Sequence, residues 1–577
     1  MRGAIHAAAA SDMSALLGKL QQASQYYARG NLGLAQTLYQ EILEVEPSRF
    51  EALHALGVIA GRSGDWGQAS ALLGRAVAVN PDDADVHCDF GVVLKALRRW
   101  REALACYERA IALRPDHTEA HSNRGNVLRE LRQYEDALAS YDKAVAISPD
   151  YAEAHYNRGV VLHDLHRLED ALASYDKAIA IRPDYAAAFC NRGVIQEHLH
   201  LFSAAVESYA QAVELQPGFV RALSNRGNAQ RVLLQLDAAI DSCNRAIAIA
   251  PDYAAAYQNR AVARLLAGDF EQGWPDYEWR WKNEDSALRR DYRAFIQPQW
   301  HGQHELTGRS ILIHSEQGLG DAIQFCRYVP LLARRGATVI FEVPGALMQL
   351  FAGLAGVAQL ISRGTALPDF DYHCPLMSLP LAFRTSLATV PAEVPYLTVD
   401  AERQHYWRGK LGPRRKPRVG LVWSGGFRPD QPEVWSVNSR RNMPLAKLAP
   451  LSTSDIEFYS LQKGQPAESE LAQLGPHDWE GSPPIDCAGE LHDFADTAAL
   501  IEQLDLVVSV DTSTAHLAGA LGKPVWILNR FDTCWRWLLN RADSPWYPTA
   551  RLYRQAKPGD WDGVVEQLRN DIQRLSI

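Results

Sequence analysis

No stretch of this 577-residue chain approaches the ~20 consecutive apolar residues that a membrane-spanning helix needs. No Lys/Arg-rich run stands out either, and the net charge is −9, so nucleic acid is not an expected partner. The eight cysteines (Cys88, Cys106, Cys190, Cys243, Cys326, Cys374, Cys487, Cys534) lack paired spacing. That excludes a disulfide framework or zinc site and points to reduced thiols in a cytoplasmic protein. The alanines after His6 have neither the apolar core nor the basic flank of a signal peptide, so none is expected. Tryptophan is scarce in the first half: of 15, only Trp66 and Trp100 precede Trp274. The chain is several-fold longer than one domain, and this step in composition marks a change of architecture.

What is present first is a period. Pro47, Pro81, Pro115, Pro149, Pro183, Pro217 and Pro251 are each 34 residues apart. Ala103, Ala137, Ala171, Ala205 and Ala239 keep the same phase, as do Tyr107, Tyr141, Tyr175 and Tyr209 and Gly91, Gly125, Gly159, Gly193 and Gly227. Each unit reads as two short helices: small residues allow close backbone approach, the tyrosine fills the seam, and proline stops the second helix. Over roughly the first 280 residues the pattern resembles the tetratricopeptide family. That resemblance implies an α-solenoid with a concave surface suited to another polypeptide.

Asn123, Asn157, Asn191, Asn225 and Asn259 share one repeat position, each followed by arginine (Arg124, Arg158, Arg192, Arg226, Arg260). Carboxamides donate and accept, so such a ladder can hold a peptide backbone; alternatively it only satisfies neighbouring helices. The superhelix of nucleocytoplasmic O-GlcNAc transferases is similar in lining its groove with asparagines at this position. Asp89 and Ala55 replace it in earlier repeats, confining any ladder to the later turns. The segment "GWPDYEWRWKNED" reads as a capping helix that docks the repeats onto the next domain, with an exposed aromatic ligand site as the alternative.

From Arg309 the pattern becomes α/β. "SILIH" is a buried strand, "SEQGLGD" a loop, "AIQFCRYVPLLARRG" an amphipathic helix and "ATVIFEV" a second strand. After a linker ("PAEVPYLTVD", "GPRRKP"), a second series runs through "RVGLVWSG", "IEFYSLQ", "DFADTAALIEQL", "DLVVSV", "DTSTAHLAGALG" and "PVWILN", closing on the helix "WDGVVEQLRNDIQRL". Two tandem Rossmann-like lobes describe a glycosyltransferase-B fold, whose ligands sit beyond the carboxyl ends of the strands. The expected domains are a repeat superhelix with its cap over 12–285, a first lobe over 286–400, and a nucleotide-sugar-binding lobe with a final crossing helix over 401–577. The first lobe is short, so the solenoid is expected to supply part of the acceptor wall.

Two segments, "GLGDAIQFCRYVPLL" and "VVSVDTSTAHLAGALGKPVWIL", resemble the lipopolysaccharide heptosyltransferase-like glycosyltransferases and bacterial proteins that fuse tetratricopeptides to such a domain. The resemblance covers roughly residues 309–565. It implies a catalytic aspartate at Asp321, behind Gly318 and Gly320. It also implies donor contacts at Asp511, Thr512 and Ser513, and a basic residue at Arg441, with Arg440 an equal candidate because the loop is longer here.

Elementary chemistry agrees with part of this. A helix opened by "DTSTAH" directly after an apolar strand offers free N–H groups and a positive end to a diphosphate, with hydroxyls of Thr512, Ser513 and Thr514 as further donors. The alternative is N-capping alone. His516 either contacts the donor or packs under the turn; Lys463 follows a strand and can neutralise phosphate. Inversion at an anomeric carbon needs a base for the acceptor proton, which suits Asp321; the competing assignment makes Asp321 an N-cap, with Glu316 as the base or no base at all. No metal is required, and the Asp369–Asp371 pair is explained by a strand or turn. No cofactor is expected beyond the nucleotide-sugar co-substrate.

Three functions follow. The first is a metal-independent, inverting transfer from a nucleotide-sugar to a Ser/Thr hydroxyl of a protein acceptor in the groove formed by the repeats. The fused bacterial relatives include transferases acting on surface proteins such as flagellin. The second is a non-catalytic scaffold, which retention of the polar turn residues disfavours. The third is transfer to a lipid or glycan, for which a polypeptide-binding groove is superfluous.

Overall fold

The computed structural model describes residues 2–284, 286–426, 435–475, 478–479 and 481–575, with side chains from residue 14 onward except at 287, 290, 435, 436 and 575. Part of the long loop after Gly426 that lengthens the Arg440/Arg441 region, residues 427–434, lies outside the described residues. The chain divides into two compact units, Met1–Pro217 and Gly218–Ile577.

The first unit holds helix pairs such as Thr118–Glu130 with Tyr134–Ile147 and Ala152–Asp164 with Leu168–Ile181. The seam has a steric cause. A Cβ on Gly91, Gly125, Gly159 or Gly193 would lie 2.6–2.8 Å from the ring of Tyr107, Tyr141, Tyr175 or Tyr209, so glycine is what lets the tyrosine fill the gap between helices. Those tyrosines and the phased alanines are fully buried. The ladder arginines also work inside their own repeats: Arg124, Arg158 and Arg192 reach across to Ser140, Ser174 and Ser208 on the second helix.

The second unit opens with two further helix pairs, of which Ala254–Ala267 and Phe270–Tyr277 form the last. Arg226 and Arg260 repeat the clamp on Ser242 and Asp276. Trp274 is buried, donates its indole N–H to the Thr385 carbonyl at 3.0 Å and meets Trp535 edge-on at 5.3 Å. Leu265, Phe270, Trp274 and Tyr277 thereby enter one apolar core with both α/β lobes. The tryptophan-rich segment is a docking element, which explains why the last repeats group with the α/β region.

Two parallel sheets follow. The first contains β1 (Ser310–His314), β2 (Thr338–Val343), β3 (Val357–Ser362) and β4 (Tyr372–Pro375) in the order β3-β2-β1-β4. The second contains β5 (Arg418–Val422), β6 (Glu457–Ser460), β7 (Ile485–Asp486), β8 (Leu506–Val510), β9 (Val525–Asn529) and β10 (Ala550–Arg554). Its order, β10-β9-β8-β5-β6-β7, reverses direction between β5 and β8, the doubly wound arrangement that opens a ligand crevice at that point. Strands β5 and β8 are buried along their whole length, as a central parallel pair must be.

Between the two linker segments lies the helix Ala401–Leu411, whose Arg403 ion-pairs with Asp493 and Asp496. In the final helix, Trp561–Ile572, the residues Trp561, Val564, Val565, Leu568 and Ile572 join Val419, Leu421, Phe458 and Val508 in the core of the second sheet. The helix's apolar stripe at helical spacing is spent there.

Candidate functional site

At the carboxyl ends of β5 and β8 lies a cleft of about 290 Å³. Its floor is Ser424, Gly425 and Gly426 after β5 and Thr512, Ser513 and Thr514 after β8; Gln462, Lys463 and His492 line one side, and Leu319 and Ala346 come from the first lobe. The backbone after β5 is fixed from below. Gln462 Oε1 accepts the Trp423 and Ser424 N–H groups at 3.2 and 3.0 Å, and Asn442 Oδ1 accepts that of Gly425 at 2.8 Å.

The helix Ser513–Ala520 begins in this cleft with no side-chain cap among the described residues. Thr512 instead turns its hydroxyl toward Ser509 Oγ, 2.9 Å away. Capping by the Asp-Thr pair therefore does not account for the turn, and the first N–H groups are left for whatever enters. This helix and Leu319–Phe325 of the first lobe abut at their starts. A Cβ on Gly320 would lie 2.9 Å from His516 Cδ2 and 3.3 Å from Ser513 Cα, which is why glycine stands there.

Asp321 sits one residue further on. Its Oδ2 accepts the Gly318 N–H at 2.9 Å, and its Oδ1 is ion-paired with Arg536 of the second lobe. The carboxylate therefore caps its own helix and also bridges the lobes. Glu316, the alternative base, is fully buried, accepting from Arg280 and from the Met377 N–H, each at 3.1 Å; burial pushes its carboxyl up to about 7. Asp371 accepts from the Ser310 N–H and hydroxyl at the amino end of β1, opposite the cleft.

Of the sequence-derived donor residues, Lys463, Thr512, Ser513 and Thr514 line the cleft. Asp511, Arg440, Arg441 and His516 form a layer behind them. Arg441 donates to the Asp511 carbonyl at 3.0 Å and lies hard against the Gly425 backbone, while Arg440 pairs with Asp532 at 3.1 Å. Lys463 Nζ donates to the Ala488 carbonyl at 2.5 Å. Burial pushes the Asp511 carboxyl up, but His516, Arg441, Arg530 and Arg536 outweigh it and hold the group below the usual carboxylate range. His516 is not a cleft residue. It is buried, stacks on Trp537 at 5.1 Å, bonds Tyr547 Oη through Nδ1 at 3.0 Å, and is pushed down to about 4 by burial.

Sequence reasoning missed Arg530, Asp532 and Arg536. They follow β9 in "NRFDTCWRW", where arginines among tryptophans were the available signal.

The asparagines divide. Asn123 accepts from Lys95 Nζ at 3.1 Å, Asn191 donates to Tyr156 Oη at 3.0 Å, and Asn259 donates to the Ser224 carbonyl and hydroxyl, both at 3.1 Å. Those three tie successive repeats together. The side chains of Asn157 and Asn225 make no such bond among the described residues.

Residues 96–131, 125–166, 152–185 and 199–254 match models of the tetratricopeptide repeat. Residues 461–528 match glycosyltransferase family 9 (heptosyltransferase), a stretch that includes Lys463 and the Asp511–Thr514 turn but stops short of Arg536. The chain is 27% identical over 341 residues to Protein FlbA of Caulobacter vibrioides, spanning about half (54%) of that curated relative and 54% of its own length. Among solved structures it is similar to YrrB, described as a TPR protein with an unusual peptide-binding site (24% identity, 33% of this chain and 97% of that one, TM-score 0.30). It is also similar to PilF of Pseudomonas aeruginosa (20% identity, 35% and 92%, TM-score 0.33). These two likenesses concern the repeat fold alone. The chain thus joins tetratricopeptide repeats to a parallel-sheet α/β region that carries a stretch of the glycosyltransferase family 9 type.

Proposed function

We propose that the chain is a nucleotide-sugar-dependent, inverting glycosyltransferase whose repeats present a protein acceptor. The observation that carries this reading is the uncapped start of Ser513–Ala520 at the reversal point of the second sheet, with an aspartate from the opposite lobe beside it. The donor diphosphate lies on that helix start, held by backbone N–H groups, by the hydroxyls of Thr512, Ser513 and Thr514, and by Lys463. Asp321 takes the proton of an acceptor hydroxyl as its oxygen bonds the anomeric carbon. The bond from that carbon to the diphosphate oxygen breaks on the opposite face, and the nucleoside diphosphate leaves with the electron pair. Arginine and lysine neutralise the leaving group, so the scheme calls on no metal.

A Ser/Thr hydroxyl of a protein, flagellin or another surface protein among the candidates, is the acceptor we favour, because a peptide-binding groove has no use for a small saccharide. The glycosyltransferase family 9 match favours a second reading, transfer to a lipid or glycan. A donor screen tests the shared core: thermal shift of the full chain against UDP-, GDP-, ADP-, TDP- and CMP-sugars. A ligand at 100 times its Kd adds about 2.7 kcal/mol of stability. Stabilisation by one donor is expected; no shift with any of them would overturn the assignment. Incubation of that donor with a whole-cell protein fraction or with a lipid and glycan extract then separates the two acceptor classes.

A further inference from the structure

We propose that Arg536 is a further ligand of the donor diphosphate and that, until the donor arrives, it holds Asp321 in an inter-lobe latch. Donor binding then frees the base. The inference rests on the functional reading above and adds an order of events to it.

Arg536 belongs to the turn Trp535–Trp537 beyond β9, on the lobe opposite Asp321. The paired side chains are 10% and 17% exposed. The guanidinium lies 4.3 Å from the Trp535 ring centroid, and Nη1 is 3.1 Å from Cys534 Sγ. Its buried Nε–H has no hydrogen-bond partner among the described residues. Arg536 is thus a desolvated cation with a spare donor and one carboxylate partner. Asp321, for its part, has one oxygen on the Gly318 N–H and the other on Arg536, and the guanidinium lowers the basicity of the oxygen it holds.

The neighbouring arginines are committed differently. Arg440 and Arg530 share Asp532, and Arg441 is spent on the Asp511 carbonyl. Four guanidiniums therefore face the carboxylates of Asp321, Asp511 and Asp532, an excess of positive charge behind the uncapped helix start. Those three bonds stay within the second lobe, whereas the Arg536–Asp321 pair crosses to the first. A diphosphate seated on that helix start offers oxygens in the planar geometry a guanidinium fork prefers. Arg536 then exchanges carboxylate for phosphate, and Asp321 is released only when a donor is present. No bond other than hydrogen bonds changes in this exchange.

The test uses the full chain and calorimetric titration with inorganic pyrophosphate, then with UDP, GDP, ADP, TDP and CDP. If Asp321 competes with phosphate for Arg536, Asp321→Asn tightens binding, by at least about 5-fold, the upper end for an exposed pair, because this pair is largely buried. Arg536→Gln weakens it about 10-fold or more, and Arg536→Lys falls between. The double variant D321N/R536Q matches R536Q, because the tightening needs the arginine. A residue that only supports the fold would not produce effects of opposite sign. Unchanged or weaker binding in D321N, where the wild type binds, overturns the latch while leaving the transferase reading intact. Tightening that survives in the double variant also overturns it. Failure of the wild type and of D321N to bind any of these probes overturns the functional reading and the latch together. If R536Q does not fold, D321N and R536K decide.

Discussion

Gly320 is a position where adding one carbon should harm the site. The two helix starts meet there, and a Cβ would stand 2.9 Å from His516 Cδ2 and 3.3 Å from Ser513 Cα. The first neighbour is a ring locked by Trp537 and Tyr547, and the second is backbone, so neither can swing away. Gly320→Ala must part the helices by some tenths of an ångström. Overpacking of this kind costs about 1–3 kcal/mol. Because the displaced atoms open the diphosphate site and carry Asp321, turnover should fall much further than stability, toward the ~10²-fold typical of a small misplacement. Melting temperature, donor affinity and turnover of the full chain check this. Adding His516→Ala should relieve only the clash with the ring, giving partial recovery and a coupling of about 0.5–3 kcal/mol between the sites. A Gly320→Ala protein with wild-type melting and turnover would refute the account of how the helix starts meet.

In the repeats, Gly125→Ala drives a methyl to 2.8 Å from the Tyr141 ring and should lower stability by about 1–3 kcal/mol, whereas Gly33→Ala, with no atom within 4 Å, should not; thermal melts decide. His516 is buried with its imidazole pushed down to about 4 from an ordinary 6.5, so the unfolded chain binds the proton first. Stability should therefore fall as pH drops from about 6.5 to about 4, by about 3 kcal/mol at most, and His516→Gln should flatten that fall in denaturant titrations. Among the asparagines, Asn157→Ala with Asn225→Ala should raise the acceptor KM, by about 0.5–1.5 kcal/mol for each carboxamide hydrogen bond removed, and spare donor hydrolysis. Asn191→Ala and Asn259→Ala should instead lower the melting temperature, because those side chains bond neighbouring repeats.

The repeats and the βα punctuation were legible because each follows from local sequence chemistry. Proline spacing, the Gly–Tyr seam and "DTSTAH" after an apolar strand are short-range signals that packing then obeys. What the sequence hid depends on pairings between distant residues. Asp321 and Arg536 are 215 positions apart, and nothing local to "CWRW" says that its guanidinium crosses to the other lobe. The asparagines look equivalent in sequence, yet Asn191 and Asn157 differ because Tyr156 happens to stand within reach of one of them. The strand β7, two residues long, leaves too short a pattern to read, and the apolar stripe of Trp561–Ile572 fits either lobe until the second sheet is seen to take it.

The central claim is that Asp321 takes the acceptor proton in a cleft that binds a nucleotide-sugar. Single-turnover release of nucleoside diphosphate, with whichever donor stabilises the wild type, measures that step in the full chain. Asp321→Asn keeps the size and loses the base, and should slow release by ~10²–10⁴-fold while donor binding is retained or tightened. Release at the wild-type rate, or slow release explained wholly by weakened donor binding, would contradict it.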